Sequence, residues 1–303
     1  MPVTMDARYY IQPQVVEGIL NKKVENQLTF KDMFKERLTD ATSFRYSEDI
    51  TTAGADITSG VQGEPVPITE ESDLTEVEIS PITFQTGVLG AWGYKIRINP
   101  RTLREEGTTD EVLRAYDRVG YGMARKVNVD TISALTTAAA ANDITEVDGT
   151  AVWSHDDADV IKDIVNFKKA FKQEGYPYRM NNIYLHPDNM SEAELYMIQV
   201  DRNWAIDPTT EAPVPQIRGV GFNEVATDEL AEGAYLGLDS RFPAATFYKF
   251  VDPQKSSNPQ DNRVMVHRYV EQEYPQRIVI ELTMEYGIAV PLKNAVCYKS
   301  SGI

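Results

Sequence analysis

The feature that most constrains this chain is a long stretch without a single basic residue. Residues 47–94 hold nine acids and neither a lysine nor an arginine. The first part, EDITTAGADITSGVQGEPVPITEESD, has little hydrophobic periodicity. The second part alternates through Leu74, Val77 and Ile79, then Ile82 and Phe84, with the phase shift at Ser80-Pro81. A phase slip at a proline marks a bulge or strand break. Tyr94, Ile96 and Ile98 alternate again. The pattern predicts a long two-stranded excursion with few core residues. A hairpin of that kind is only marginally stable alone in water. A weakly apolar excursion of this length also fits poorly inside one compact domain. It calls for support from a neighbouring molecule.

The flanking segments differ in charge. Residues 1–46 carry seven bases and six acids, residues 95–141 eight bases and six acids, and the whole 303-residue chain has a formal charge of −16. The first 46 residues show broken helical hints at Val15, Val16, Ile19 and Leu20, then Phe30, Met33, Phe34 and Leu38, with no strand partner of their own. They read as an arm packed on something else. After the acidic stretch, Thr108-x-x-Glu111 is a capping-box pattern. Val112, Tyr116, Val119, Met123 and Val127 follow at helical steps, continued by Ile132 and Leu135. The predicted helix, 108–141, would reach about 50 Å at about 1.5 Å per residue. Such a helix suits a spine better than a wall of a small core, and Gly120 and Gly122 are candidate bend points.

Further on, Val160, Ile164, Phe167 and Phe171 predict an amphipathic helix over 158–175, stopped by Gly175. A short strand at 182–186 and a helix near 189–199 follow. In Ile278–Tyr286 every even position is apolar, the pattern of a strand with one buried face. Asn262–Val270 is its expected antiparallel partner.

Several function classes are disfavoured. The negative charge speaks against a broad phosphate-binding face. No apolar run approaches the ~20 residues of a membrane span, and the N-terminus lacks a signal-peptide core. These features predict a soluble, unsecreted protein. The one cysteine, Cys297, lies in the apolar run Ala295–Tyr298 and reads as a small buried hydrophobe. Nucleophile-elbow, phosphate-loop and zinc-protease motifs are absent from the sequence. His155-Asp156-Asp157 has metal-capable groups, but acids at 156, 157 and 159 are better read as favouring the positive end of the following helix. Gly219-x-Gly221 lacks the rest of a dinucleotide fingerprint. Glu70-Glu71 and Glu76/Glu78 lie where nothing excludes water, so they suit a solvated or partner-facing surface more than acid–base catalysis. No catalytic, cofactor or metal site is assigned.

The order of segments resembles the major capsid proteins of tailed double-stranded-DNA viruses, whose Hong Kong phage-type fold encapsulins share. Glu64-Pro65-Val66-Pro67 followed by Leu74–Phe84 resembles the family's alternating-strand entry into the spine. Asn99-Pro100 to Leu135 resembles its spine-helix region. Ile164–Phe171, Gly175-Tyr176-Pro177 and Ile183-Tyr184-Leu185-His186-Pro187 resemble its peripheral segment. Gly219–Phe222 and Leu230 to Asp239 resemble axial-domain strands, and Arg277–Tyr286 with Gly287-Ile288-Ala289-Val290 resembles the closing strand. The resemblance implies an α+β chain with an N-terminal arm (1–46), an extended loop (47–98), a peripheral domain with the spine helix (99–187), an axial domain (188–262) and a return to the peripheral domain (263–303). It implies a non-enzymatic virion subunit, assembled in the host cytoplasm into an icosahedral shell of hexamers and pentamers around double-stranded DNA. Its partners would be many copies of itself, a portal, and separate scaffolding or cementing proteins. The alternatives are an encapsulin-type compartment with the same fold and, from another class, a soluble α/β hydrolase.

Some family members crosslink through an extended-loop lysine. No lysine lies between Lys35 and Lys95, so the expectation is a shell interlocked without covalent bonds. The acids Glu64, Glu70, Glu71, Asp73, Glu76 and Glu78 are expected to meet a neighbour's Arg97, Arg101, Arg104, Arg114, Arg118, Arg125 and Lys126, with salt tuning assembly. Divalent cations bridging the loop carboxylates are a second possibility.

Overall fold

The structure is a computed structural model that describes residues 12–31, 34–47, 84–99, 108–141, 144, 147–155, 157–172, 178–200, 216–226, 229–250, 264–271, 277–301 and 303. The chain divides into two compact units. The first takes 1–44, 86–131 and 246–289, and the second takes 45–85, 132–245 and 290–303.

The first unit is built around its closing strand. In β11 (Arg277–Ala289), Ile278, Ile280, Leu282, Met284 and Tyr286 are all buried, as the alternation requires. Antiparallel neighbours flank it on both sides. β10 (Met265–Glu271) sets Val266 opposite Leu282, and β4 (Gly90–Ile98) sets Ile98 opposite Ile278. β10 is the partner expected from Asn262–Val270. The Tyr94–Ile98 alternation, however, was read as part of a two-stranded excursion. It belongs instead to β4, which pairs with Ile278–Tyr286 of β11. Alternation identifies a strand but not its partner.

The other strands of this sheet are β1 (Phe34–Thr39) and β9 (Ala245–Phe250), in the order β1-β9-β11-β10. The N-terminal segment therefore has a strand partner, contrary to its sequence reading. β1 is mostly exposed, so it carries little buried periodicity to announce it. α1 (Pro13–Asn26) starts with proline at a position where a missing N–H costs nothing. Val16, Leu20 and Val24, four residues apart, are fully buried against this unit's own core rather than left for another molecule. β2 (Ser43–Ser47) and β3 (Phe84–Val88) form a separate two-stranded ladder.

The helix read from 108–141 is α2 (Thr108–Ala140), continuous through both glycines. Its capping-box side chains lie outside the described residues. Gly122 gives close approach rather than a break, because an added Cβ would come within 3.0 Å of the Tyr94 hydroxyl. Tyr116, Met123 and Val127 face the first unit's cluster. From Ile132 onward the residues count with the second unit, where Leu135 is fully buried.

The second unit holds a five-stranded sheet in the order β12-β8-β5-β7-β6. These strands are β5 (Asn182–Leu185), β6 (Gln216–Ile217), β7 (Val220–Glu224), β8 (Tyr235–Leu238) and β12 (Val296–Lys299). Gly219-x-Gly221 resolves into a two-residue hairpin turn between β6 and β7. Arg218 and Gly219 both have positive φ, the backbone that such turns demand. α3 (Val160–Phe171) buries Val160, Ile164, Phe167 and Phe171. It ends earlier than the expected stop, and Gly175 is outside the described residues. Asp159 caps it by accepting from the Lys162 N–H at 2.9 Å. α4 (Pro187–Val200) follows β5 directly. Cys297 is buried, with its sulfur 4.0 Å from the Tyr235 hydroxyl. No described helix is long and apolar enough to cross a membrane.

Candidate inter-subunit surface

The surface of interest is the solvent side of α2. Arg114, Arg118, Tyr121 and Arg125 are all exposed. Their spacings of four, three and four place them within about 60° of one another at about 100° per residue. The buried residues Tyr116, Met123 and Val127 point to the opposite side. Helical amphipathicity thus produces an arginine stripe with an aromatic in its middle.

Two other described basic candidates, Arg97 and Lys126, have defined partners within the subunit. Lys126 is held 2.6 Å from Asp130 one turn along, and its ammonium sits 4.0 Å from the centre of the Trp92 ring. Asp130 also accepts from the Tyr286 hydroxyl at 2.6 Å. Burial first, and then Asp130, pushes that hydroxyl above the usual tyrosine range. Arg97 donates through Nε to Glu271 at 3.1 Å. Its neighbour Lys95 bonds Glu281, which also accepts from Tyr269 at 2.8 Å. The Tyr269 hydroxyl, and then Lys95, hold the Glu281 carboxyl below its ordinary value.

Thus the structure aligns Arg114, Arg118 and Arg125, while Arg97 and Lys126 serve within the fold. Arg101, Arg104, Glu64, Glu70, Glu71, Asp73, Glu76 and Glu78 lie outside the described residues. Sequence reading missed the aromatics beside the stripe, namely Trp92 at 43% exposure, Tyr94 at 46% and Tyr121 at 53%. Tyr121 was findable, because it continues the 114–118–125 spacing. Trp92 was not, because only the pairing of β4 with β11 places it near α2.

Elsewhere, His155 and Asp157 are exposed and joined by a 3.3 Å bond from the Asp157 N–H to the imidazole. Among the described residues no group of three or more His, Cys, Asp or Glu side chains is arranged to hold a metal ion. The most buried carboxylates are structural. Asp163 accepts from the Thr150 N–H at 2.7 Å and from the Trp153 indole at 3.0 Å. Asp239 accepts from the Arg179 N–H and from Arg241. Burial alone would raise the Asp239 carboxyl, but Arg241 and the two backbone N–H groups outweigh burial and lower it.

The phage capsid protein family matches residues 84–295, well over half of the chain. No curated protein matches the sequence significantly. Solved structures share its fold at low identity. The capsid of a native GTA particle aligns with a TM-score of 0.59 at 15% identity, covering 91% of each chain. The putative capsid protein of a prophage from E. coli CFT073 aligns at 0.58 and 11% identity, covering 96% of this chain and 99% of its own. A virus-like particle from Pyrococcus furiosus aligns at 0.53 and 10%, covering 93% and 97%. The α+β architecture is the Hong Kong phage-type capsid fold, and the chain belongs to the phage capsid protein family as a structural major capsid protein.

Proposed function

We propose that this chain assembles through many copies of itself into an icosahedral shell of hexamers and pentamers that encloses the double-stranded DNA of a tailed virus. The observation that carries the mechanism is electrostatic. An arginine stripe lies along the solvent side of α2, and the chain between β2 and β3 carries nine acids and no base. We assign the extended loop to that chain segment, narrower than 47–98, because β4 pairs within the body sheet. One subunit's loop then lies over the Arg114–Arg118–Arg125 stripe of its neighbour. The lysine-free loop makes this an interlock of charge and shape rather than a covalent one. Portal, scaffolding and cementing proteins are the further partners, and assembly takes place in the host cytoplasm. The likeness to a virus-like particle supports a cargo compartment less well, because it is a likeness of fold alone while the family match is to phage capsid proteins.

Negative-stain microscopy across a salt series tests the reading. Screening shortens from about 10 Å at 0.1 M salt to about 3 Å at 1 M. Uniform hollow shells that loosen as salt rises are expected. Equal shell yields at both extremes overturn the charged contact. Subunits that never close, with or without a coexpressed scaffolding protein, overturn the shell.

A further inference from the structure

We propose that Phe44 is a positioning residue for assembly, its ring fixing β2 and β3, the two strands that bracket the acidic chain segment in sequence. The inference rests on the reading that this segment reaches a neighbouring subunit. A two-stranded ladder is marginal by itself, and the β2–β3 ladder has almost no core. Phe44 is the only buried residue of β2, and β3 has none. The ladder's one buried side chain is therefore this ring, held in the seat that receives it.

Three strands shape that seat. The ring stacks on Tyr248 of β9, with centroids 3.9 Å apart and planes 11° from parallel. A Cβ added at Gly87 of β3 would come under 3.0 Å of the ring, and so would one added at Gly287 of β11. Gly287 and Tyr248 are register partners, so the stacking face and one gap of the seat come from the same rung of the sheet. Both glycines are explained by the ring, since glycine inside a strand is otherwise unfavourable and marks a close approach. A backbone bond from the Leu89 N–H to the Thr42 carbonyl, 3.0 Å, closes the root beside it. Phe44 is not among the residues of the apolar cluster joining α1, α2 and β11. The ring can thus be removed while that cluster stays filled.

Full-length Phe44→Ala and Gly87→Ala variants test this by backbone-amide exchange and electron microscopy. One empties the seat and the other crowds it, yet a single result is expected. Exchange at 43–47 and 84–88 should rise about tenfold or more, exchange at 112–131 and 278–284 should not change, and uniform shells should fall about tenfold in yield. Unchanged exchange at the two strands overturns the proposal. So does normal shell yield with fast-exchanging strands, or fast exchange throughout the unit in both variants. The charged contact is read separately, from the salt dependence of wild-type shells. Its loss would sink that reading while leaving the exchange result intact.

Discussion

Asn128 offers a quantitative test of how α1 is tied to α2. Its side chain is 4% exposed and hydrogen-bonds the segment just after α1. Nδ2 donates to the Gln27 carbonyl at 3.2 Å and to the Thr29 hydroxyl at 3.1 Å, while Oδ1 accepts from the Thr29 N–H at 3.2 Å. These bonds satisfy backbone groups just past the end of α1, where helix geometry leaves carbonyls without partners. Replacement by alanine removes these bonds, worth about 1 kcal/mol each net, and leaves a shielded N–H and C=O less well satisfied. The expected loss is about 2–4 kcal/mol. Urea unfolding should show this as a lower midpoint, with exchange rising first in α1. Asn128→Asp is the sharper variant. It keeps the acceptor for Thr29 but sets a carboxylate against the Gln27 carbonyl. At neutral pH it should be at least as damaging as alanine. Its penalty should shrink in acid, where a protonated carboxyl can donate to Gln27. A loss below about 0.5 kcal/mol for alanine would refute the argument. It would show that α1 is held without Asn128, by Val16, Leu20 and Val24 together with contacts such as the Val264 N–H to Asn21 Oδ1.

Three further outcomes are expected. Gly93→Ala should destabilise the first unit by about 1–3 kcal/mol in denaturant unfolding, because the new Cβ would press on the Leu282 carbonyl, a backbone atom with nowhere to go. An unchanged midpoint would mean that β4 slides along β11 at no cost. Glu281 and Asp239 are held below their ordinary values of 4.5 and 3.8. Their contribution is complete above those values and lost as pH falls through the lower folded ones. Thermal unfolding should therefore weaken below about pH 4.5, and Asp239→Asn should flatten that dependence. A profile equally steep in the variant would assign acid lability elsewhere. Arg118→Glu should lower shell yield at low salt while shifting subunit stability by less than about 0.5 kcal/mol. Normal shell yields from this variant would remove α2 from the interface.

The parts of the fold that were legible had strong periodicity and their own buried face. β11 shows its five buried even positions directly, and α2 and α3 show theirs at helical spacing. α1 was half legible. The apolar steps were visible, but nothing local says whether Val16, Leu20 and Val24 pack within the chain or on another molecule. β1 was missed because its side chains are mostly exposed and its partner β9 lies some two hundred residues away. β4 was recognised as a strand and given the wrong neighbour for the same reason. At the candidate surface, the sequence reading listed seven basic residues on or near the spine without separating Arg114, Arg118 and Arg125, which helical spacing alone would have set on one face. Spacing could not show that Arg97 faces Glu271 or that Lys126 sits over Trp92, because those contacts depend on strand order.

Cys297 has a practical consequence. It is the sole cysteine, and it lies 3% exposed beneath the Tyr235 hydroxyl on β12. Thiol reagents that label surface groups should pass the native subunit by. A cysteine introduced at an exposed position such as Tyr121 would then be the one reactive handle per copy. The chain is in effect already prepared for single-site attachment of fluorophores or spin labels, with no background thiol to remove first.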